Sequence, residues 1–195
     1  MKVYAFSVDN WKRGEGERSF IFKLFETCLQ EEIPKLLENN VRIQFIGNRD
    51  ALSGSLQLLM KRAEAATKGN KTLHLTIAIN YSAREDIVSA AQSVAKKVAE
   101  EQIEVGDITE QLLENHLSTN VIPEKYRQPD LLLRTSGEER LSNFLLWELA
   151  YTELCFTRVK WPDFDELTFK EALDVYSSRE RRYGGRERRF NFNER

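Results

Sequence analysis

Two stretches of this sequence gather enough polar chemistry to act on a ligand. Ser7-Val8-Asp9-Asn10-Trp11-Lys12-Arg13 follows an apolar run and places a hydroxyl, a carboxylate, an amide, an indole and two cations within seven residues. It reads as a ligand loop or, more blandly, as a helix cap followed by a tryptophan packed on the rim. Arg134-Thr135-Ser136-Gly137-Glu138-Glu139-Arg140-Leu141-Ser142-Asn143 also follows an apolar run, and its two arginines stand six residues apart around small hydroxyl residues and a glycine. Guanidinium forks match phosphate oxygens and hydroxyls complete such a shell, so this stretch could wrap a polyanion. The alternative is a surface loop whose arginines pair with Glu138 and Glu139. Glu153 follows Trp147 and Tyr151 in an otherwise apolar stretch. A carboxylate there costs free energy unless it is paired or binds a cation. Together these residues suggest a site for a phosphorylated ligand with a hydrophobic part. Arginines would hold phosphate oxygens, a carboxylate would hold Mg²⁺ bridging them, and Phe6, Trp11 and Trp147 could supply apolar walls.

Other chemistries lose weight. The sequence has no glycine-rich dinucleotide fingerprint, no P-loop and no His-Glu-x-x-His, and neither His74 nor His116 stands beside a plausible nucleophile. His74 reads as a satisfied strand residue and His116 as solvated. Two cysteines, Cys28 and Cys155, are too few for a disulfide framework or a Cys-rich zinc site, and buried free thiols are the expectation. The balance of 29 Lys plus Arg against 31 Asp plus Glu leaves a net charge of −2. That argues against a general nucleic-acid binder, whose affinity rests on excess cations. No run approaches the ~18 apolar residues of a membrane span. From Arg179 to Arg195 the chain carries seven arginines, which read as a solvated basic end or as phosphate ligands.

The elements that must position these residues follow from periodicity. Strands are expected at Lys2 to Ser7, Val41 to Ile46, Lys71 to Tyr81, Asp130 to Arg134 and Leu154 to Phe156. Helices are expected at Glu17 to Asn39, Ser53 to Thr67, Arg84 to Glu101, Thr109 to Leu117, Ser142 to Ala150 and Phe164 to Arg182. In the first helix Phe20, Leu24, Cys28, Leu29, Ile33 and Leu36 or Leu37 form the expected core stripe, and Pro34 is a kink or break. Strands separated by helices of crossover length imply an α/β fold, a mostly parallel central sheet flanked by helices, and one domain across residues 1–195. Ligands in such sheets bind beyond the carboxyl ends of the strands. That directs attention to Ser7 to Arg13, Asn80 to Arg84 and Arg134 to Ser142.

Three runs in order carry a family resemblance. They are Tyr4-Ala5-Phe6-Ser7-x-Asp9-Asn10-Trp11-x-Arg13, then Asp130-Leu131-x-x-Arg134-Thr135-Ser136-Gly137-Glu138-x-Arg140-Leu141-Ser142-Asn143-Phe144-Leu145-Leu146-Trp147, then Trp161-Pro162-Asp163-Phe164. They resemble the cis-prenyltransferases, the family of undecaprenyl, dehydrodolichyl and polyprenyl diphosphate synthases. The resemblance implies that family's α/β fold and an enzyme that condenses isopentenyl diphosphate onto an allylic prenyl diphosphate with Mg²⁺. By similarity Arg134, Arg140, Leu141 and Ser142 would bind the isopentenyl diphosphate group, and Glu153 would ligate Mg²⁺. Ser7, Val8, Asp9, Trp11 and Arg13 would line the allylic site, with Asp9 and Asn10 as catalytic residues and Asn10 near the proton that is lost. Glu17 would support the loop, and Ala5 with the first helix would line a tunnel for the growing chain.

The resemblance further implies a homodimer, or a heterodimer with a related subunit, in which Arg182-Tyr183-Gly184 reaches across the interface. A non-catalytic subunit of a heteromeric enzyme is the alternative function. No nucleic-acid partner is implied, while peripheral membrane association is compatible with the family. The sequence departs from the family at Asp9, where many members have Glu, at Gly14, where Pro is common, and at Glu139, which is His in some members. The family's N-terminal diphosphate-binding segment is expected to be missing, making the chain a truncated member of impaired activity and lowered stability. A cytoplasmic, plastid or endoplasmic-reticulum location is left open by the same expectation.

Overall fold

In a computed structural model, which describes residues 1–179, the first strand β1 spans Lys2–Ser7 and is followed by helix α1, Glu15–Glu38. Then come β2 (Val41–Ile46), α2 (Gly54–Ala66), β3 (Leu73–Tyr81), α3 (Ala83–Ala99), α4 (Glu110–Glu114), β4 (Leu131–Arg134), β5 (Glu153–Phe156) and α5 (Glu166–Ser177). The strands form two ladders, β1-β3-β2 and β4-β5. Every pairing is parallel; helices connect β1, β2 and β3, while β4 and β5 are joined by a long stretch of turns, either of which gives the return path parallel neighbours need. The described residues cluster into two compact units, 1–127 with 141–147, and 128–140 with 148 onward.

In the first unit α1 and α2 cover the face of β3 that carries Leu75, Ile77 and Ile79, around Phe6, Ile43, Phe45, Leu52, Leu56 and Met60. Leu56, Met60 and Ala63 recur at helical spacing on α2 and are fully buried, each large side chain contributing about 1.5–3 kcal/mol of burial. The opposite face of β3 buries Thr76 and Ala78. Side-chain hydroxyls start three of the helices: Ser53, Ser82 and Thr109 accept from Leu56, Glu85 and Leu112 N–H groups. Asp165 does the same for α5 in the second unit, and two hydrogen bonds from Thr168 hold its carboxyl below the usual range.

Several expectations are corrected. Phe20 and Leu24 are 66% and 50% exposed and Cys28 is exposed. The face of α1 that packs on the core is Ile21, Phe22, Phe25, Leu29, Ile33 and Leu36. Apolar residues lie nearly all round this helix, so periodicity alone could not choose its phase. The helix runs through Pro34 without ending. Cys155 is half-buried, so neither thiol is a core thiol. The helix expected from Ser142 to Ala150 is a series of turns, because Ser142, Asn143 and Leu145 have φ of 48°, 61° and 46°. Left-handed residues at its start break the hydrogen-bond ladder. The expected Phe164 to Arg182 helix begins at Glu166, and its residues beyond 179 lie outside those described, as does Arg182-Tyr183-Gly184. His116 is not simply solvated: it is half-buried with Nδ1 2.8 Å from the Leu112 carbonyl.

Two positions make the fold of the first unit testable. Gly47 ends β2 at φ 109°, and a Cβ there would stand 2.2 Å from the Ile79 carbonyl oxygen and 2.9 Å from that of Asn80. Gly47→Ala is therefore expected to cost about 2–4 kcal/mol through backbone strain and overpacking, read as a lower denaturation midpoint. Asp86, in the first turn of α3, accepts from the Ser118 N–H at 2.9 Å and the Ser118 hydroxyl at 2.8 Å. Burial nonetheless raises its pKa above the ordinary 3.8, outweighing these hydrogen bonds and one from Tyr81. The folded state then holds the proton more tightly than the unfolded one, so this group's contribution to stability falls as pH rises between the two values. The stability difference between the parent and Asp86→Asn should shift against the parent as pH rises through that interval, as measured by urea unfolding at stepped pH.

Candidate diphosphate site

The carboxyl ends of β1, β2 and β3 lie along one edge of the parallel ladder, which pairs Ser7 with Tyr81 and Ile46 with Ala78. The Ser7–Arg13 stretch leaves that edge as a 3-10 turn, Val8–Lys12, organised by its own side chains. Ser7 Oγ accepts the Asp9 N–H at 3.1 Å, and Asn10 Oδ1 accepts the Ser7 N–H at 2.9 Å. This reciprocal cap makes the bland reading structurally correct, and it fixes where the polar groups sit. Asp9 is exposed and pairs with Lys12 at 2.8 Å, raising the lysine's pKa. Val8 is half-buried, and Arg13 pairs with Glu17 at 2.9 Å, so the supporting role expected of Glu17 has a direct contact. Trp11 is half-buried, its ring 5.7 Å edge-to-face from Phe6 and 5.5 Å from Phe22. Phe6 itself is buried in the core, while Ala5 is exposed.

Asn80, at the end of β3, ties this edge together and was only part of a region to inspect in the sequence. It is 4% exposed with φ 49°. Its Oδ1 accepts the Trp11 indole N–H at 2.6 Å, and its amide nitrogen donates to the Asn48 carbonyl at 2.7 Å. Its own carbonyl accepts the Asn48 N–H at 3.0 Å. An asparagine closing a β-rich run was the available signal, since Asn is depleted in strands but tolerates the left-handed region.

Asn143 is the second residue whose part emerges only from the structure. Its carbonyl accepts the Ala83 N–H at 2.9 Å, its Oδ1 accepts the Arg84 N–H at 3.0 Å, and its Nδ2 donates to Ser82 Oγ at 2.7 Å. A residue 60 positions downstream of Ala83 thus satisfies helix-start donors that would otherwise lack partners. Ser142, exposed, and Leu141, half-buried, are carried on this anchored turn, and Trp147 is half-buried in the same unit.

In the second unit β4 delivers Arg134 beside Phe156 of β5. The turn after it is strapped to the segment after β5: the Ser136 N–H donates to the Val159 carbonyl and the Gly137 N–H to the Thr157 carbonyl, both at 2.8 Å. Ser136 and Gly137 have φ of 69° and 70°. The Arg134 guanidinium donates to the Arg140 carbonyl, and Arg140 pairs with Glu138. The surface-pair reading is therefore met in part, by Arg140 and Glu138, whose side chains are 66% and 41% exposed. Pairs so exposed contribute little to stability. Glu153 opens β5, and its Oε2 receives Arg179 Nη1 at 2.9 Å. Its unfavourable setting is met by this cation. Among the described residues no group of three or more His, Cys, Asp and Glu side chains is placed to hold a metal. A single carboxylate such as Glu153 suits an ion that takes its other ligands from phosphate oxygens and water, as Mg²⁺ does.

Residues 1–184 match the prenyltransferase family model described as undecaprenyl diphosphate synthase. Dehydrodolichyl diphosphate synthase 2 of Arabidopsis thaliana is 47% identical over 186 residues, covering 95% of this chain and 59% of that protein. Cis-prenyltransferase 4, chloroplastic, of Solanum lycopersicum is 47% identical over 184 residues, covering 94% of this chain and 59% of its own length. The crystal structure of lavandulyl diphosphate synthase from Lavandula x intermedia in complex with dimethylallyl diphosphate superposes with a TM-score of 0.90 at 37% identity, over 94% of this chain and 78% of that one. The chain thus spans about three fifths of the length of these two curated relatives, 59% in each case.

The anchoring of the Ser142 turn gives a direct test. Asn143→Ala should lower the unfolding free energy by about 2 kcal/mol, from two lost side-chain hydrogen bonds. Amide exchange at Arg84 should accelerate with it.

Proposed function

The chain belongs to the undecaprenyl diphosphate synthase family of cis-prenyltransferases, and from that premise we propose that the protein carrying it joins isopentenyl diphosphate to an allylic prenyl diphosphate in cis geometry. The carbon–oxygen bond to the allylic diphosphate breaks, a carbon–carbon bond forms to the isopentenyl unit, and that unit loses a proton as inorganic diphosphate departs. Charge grows on the departing diphosphate, so preorganised donors and cations there lower the barrier.

The observation that supports this reading most is the Arg134 turn. Its backbone is pinned by the Ser136 and Gly137 N–H groups, while the Arg140 side chain meets Glu138 in an exposed pair. A pinned backbone carrying cations that can exchange one partner for another suits an incoming polyanion. By the family resemblance, Arg134, Arg140, Leu141 and Ser142 are the proposed ligands of the isopentenyl diphosphate group. Ser7, Val8, Asp9, Trp11 and Arg13 are proposed to line the allylic site, with Asn10 beside the departing proton and Asp9 as its catalytic neighbour. Glu153 would hold Mg²⁺ together with diphosphate oxygens, in competition with Arg179, and the bound ion would offset the diphosphate's charge. A homodimer or a pair with a related subunit is the proposed assembly. The relative named chloroplastic keeps a plastid among the proposed compartments, beside cytoplasm and endoplasmic reticulum.

Arg134→Ala and Arg140→Ala, made in the protein that carries this chain, should each raise the KM for isopentenyl diphosphate about tenfold or more, as expected for a lost charge-assisted contact. Incorporation of labelled isopentenyl diphosphate measures it, and an unchanged KM in both variants refutes the assignment.

A further inference from the structure

Besides the exposed Arg13–Glu17 pair, the Ser7–Arg13 loop is gripped at Trp11 by two side chains outside it. Asn80 holds the ring of Trp11 through the indole N–H at 2.6 Å, and cannot turn its amide without also losing the Asn48 carbonyl at 2.7 Å. Arg18, in the first turns of α1, reaches back over the helix start. Its Nη1 donates to the carbonyls of Trp11 and Arg13, both at 2.7 Å, and its guanidinium carbon lies 5.6 Å from the centroid of the Trp11 ring. One cation therefore meets the loop at two backbone oxygens and at an aromatic face.

Between the loop and the helix stands Gly14, the joint these contacts span. Glycine is the residue with the most backbone freedom to lose. Yet Gly14 sits at φ −57° and ψ 148° after an extended Arg13 at φ −69° and ψ 158°. Both conformations are open to any residue, and no atom outside the immediate chain lies within 4 Å of where a Cβ would stand. The Gly14 carbonyl accepts the Arg18 N–H at 3.1 Å as the start of α1, which fixes the helix side of the joint, so restraint on the loop side comes from the groups that bridge it.

We infer that Arg18 and Asn80 are positioning residues that pin Trp11 from its backbone and from its ring, and so hold the Ser7–Arg13 loop in one conformation across the Gly14 joint. The consequence for substrate binding rests on the function proposed above; the pinning does not. A loop ordered before the ligand arrives does not have to be ordered by it, which strengthens binding without any new contact. Lysine at position 18 could donate to the carbonyls but lacks the planar fork, and so would retain part of the effect.

The test uses chains in which Trp147 and Trp161 are replaced by Phe, leaving Trp11 as the one tryptophan of the three. Arg18→Ala should at least double the acrylamide quenching constant of Trp11 and speed amide exchange from residue 9 to residue 13, with Arg18→Lys between it and the parent. Asn80→Gly, which keeps the left-handed backbone accessible, should raise quenching as well. Gly14→Pro fits the observed φ and should restore the Arg18→Ala chain most of the way, because it stiffens the joint by another route. Faster exchange confined to residues 9–13 separates this local role from a loss of global stability, which Gly14→Pro could also offset.

In the protein that carries this chain, Arg18→Ala should raise the KM for the allylic diphosphate about tenfold, the size of one strong hydrogen bond, while the isopentenyl diphosphate KM stays within twofold. Quenching and exchange unchanged by Arg18→Ala would overturn the inference, as would loosening that Gly14→Pro fails to reverse. If the parent transfers no prenyl group, the functional proposal fails while quenching and exchange still decide the role of Arg18 and Asn80.

Discussion

A buried amide at the end of β3 carries much of the organisation of the first unit. Asn80 turns left-handed where the strand stops, which frees its side chain to point along the sheet edge instead of across a face. Both ends of that amide are used, by the Trp11 indole and by the Asn48 carbonyl. Buried polar groups are tolerated when fully paired and then specify one arrangement strongly. The close approach of Gly47 to the Ile79 and Asn80 carbonyls follows from the same junction, because Asn48 must come within hydrogen-bond range of residue 80. Three strand ends are thereby registered to one another by a single residue.

The next residues along the chain extend that order. Ser82 caps α3 from within, and Asn143 caps it from a distant turn through the Ala83 and Arg84 N–H groups. Helix starts leave donors without partners, and here the need is met in a way that also fixes the turn bearing Ser142. In the second unit the Arg134 turn is held by different means, two backbone hydrogen bonds to the segment after β5. In each unit hydrogen bonds fix the backbone of a turn that carries polar side chains. That division of labour is what the proposed diphosphate chemistry asks for, since geometry must be set in advance while partners exchange.

Much of the fold was legible in the residues. The five strands were readable because β-branched and apolar runs bounded by Asn, Gly and Asp admit few other readings. The parallel arrangement followed from the lengths between them. The Ser7–Arg13 and Arg134–Asn143 stretches were visible as dense polar chemistry at strand ends. Less was legible where composition was one-sided or local signals misled. In α1, Phe20, Phe22, Leu24, Phe25 and Leu29 offer several competing stripes, and only the shape of the sheet beneath selects Phe22, Phe25 and Leu29. In Ser142 to Ala150 the leucines mimic a helix, while Ser142 and Asn143 are left-handed and Asn143 is committed to capping another one.

Residue types and spacing by themselves determined the α/β class, the candidate loops and the family resemblance. They could do so because those signals are local: period, turn residues and short motifs are all written within a few positions of one another. Tertiary structure alone decided which face of α1 is buried, that Glu153 meets Arg179, and that Asn80 and Asn143 hold the loops. Those partners lie 69 residues apart for Trp11 and Asn80 and 61 for Ser82 and Asn143. Hydrogen bonds over such separations depend on how strands register and chains return, which no short pattern in the sequence records.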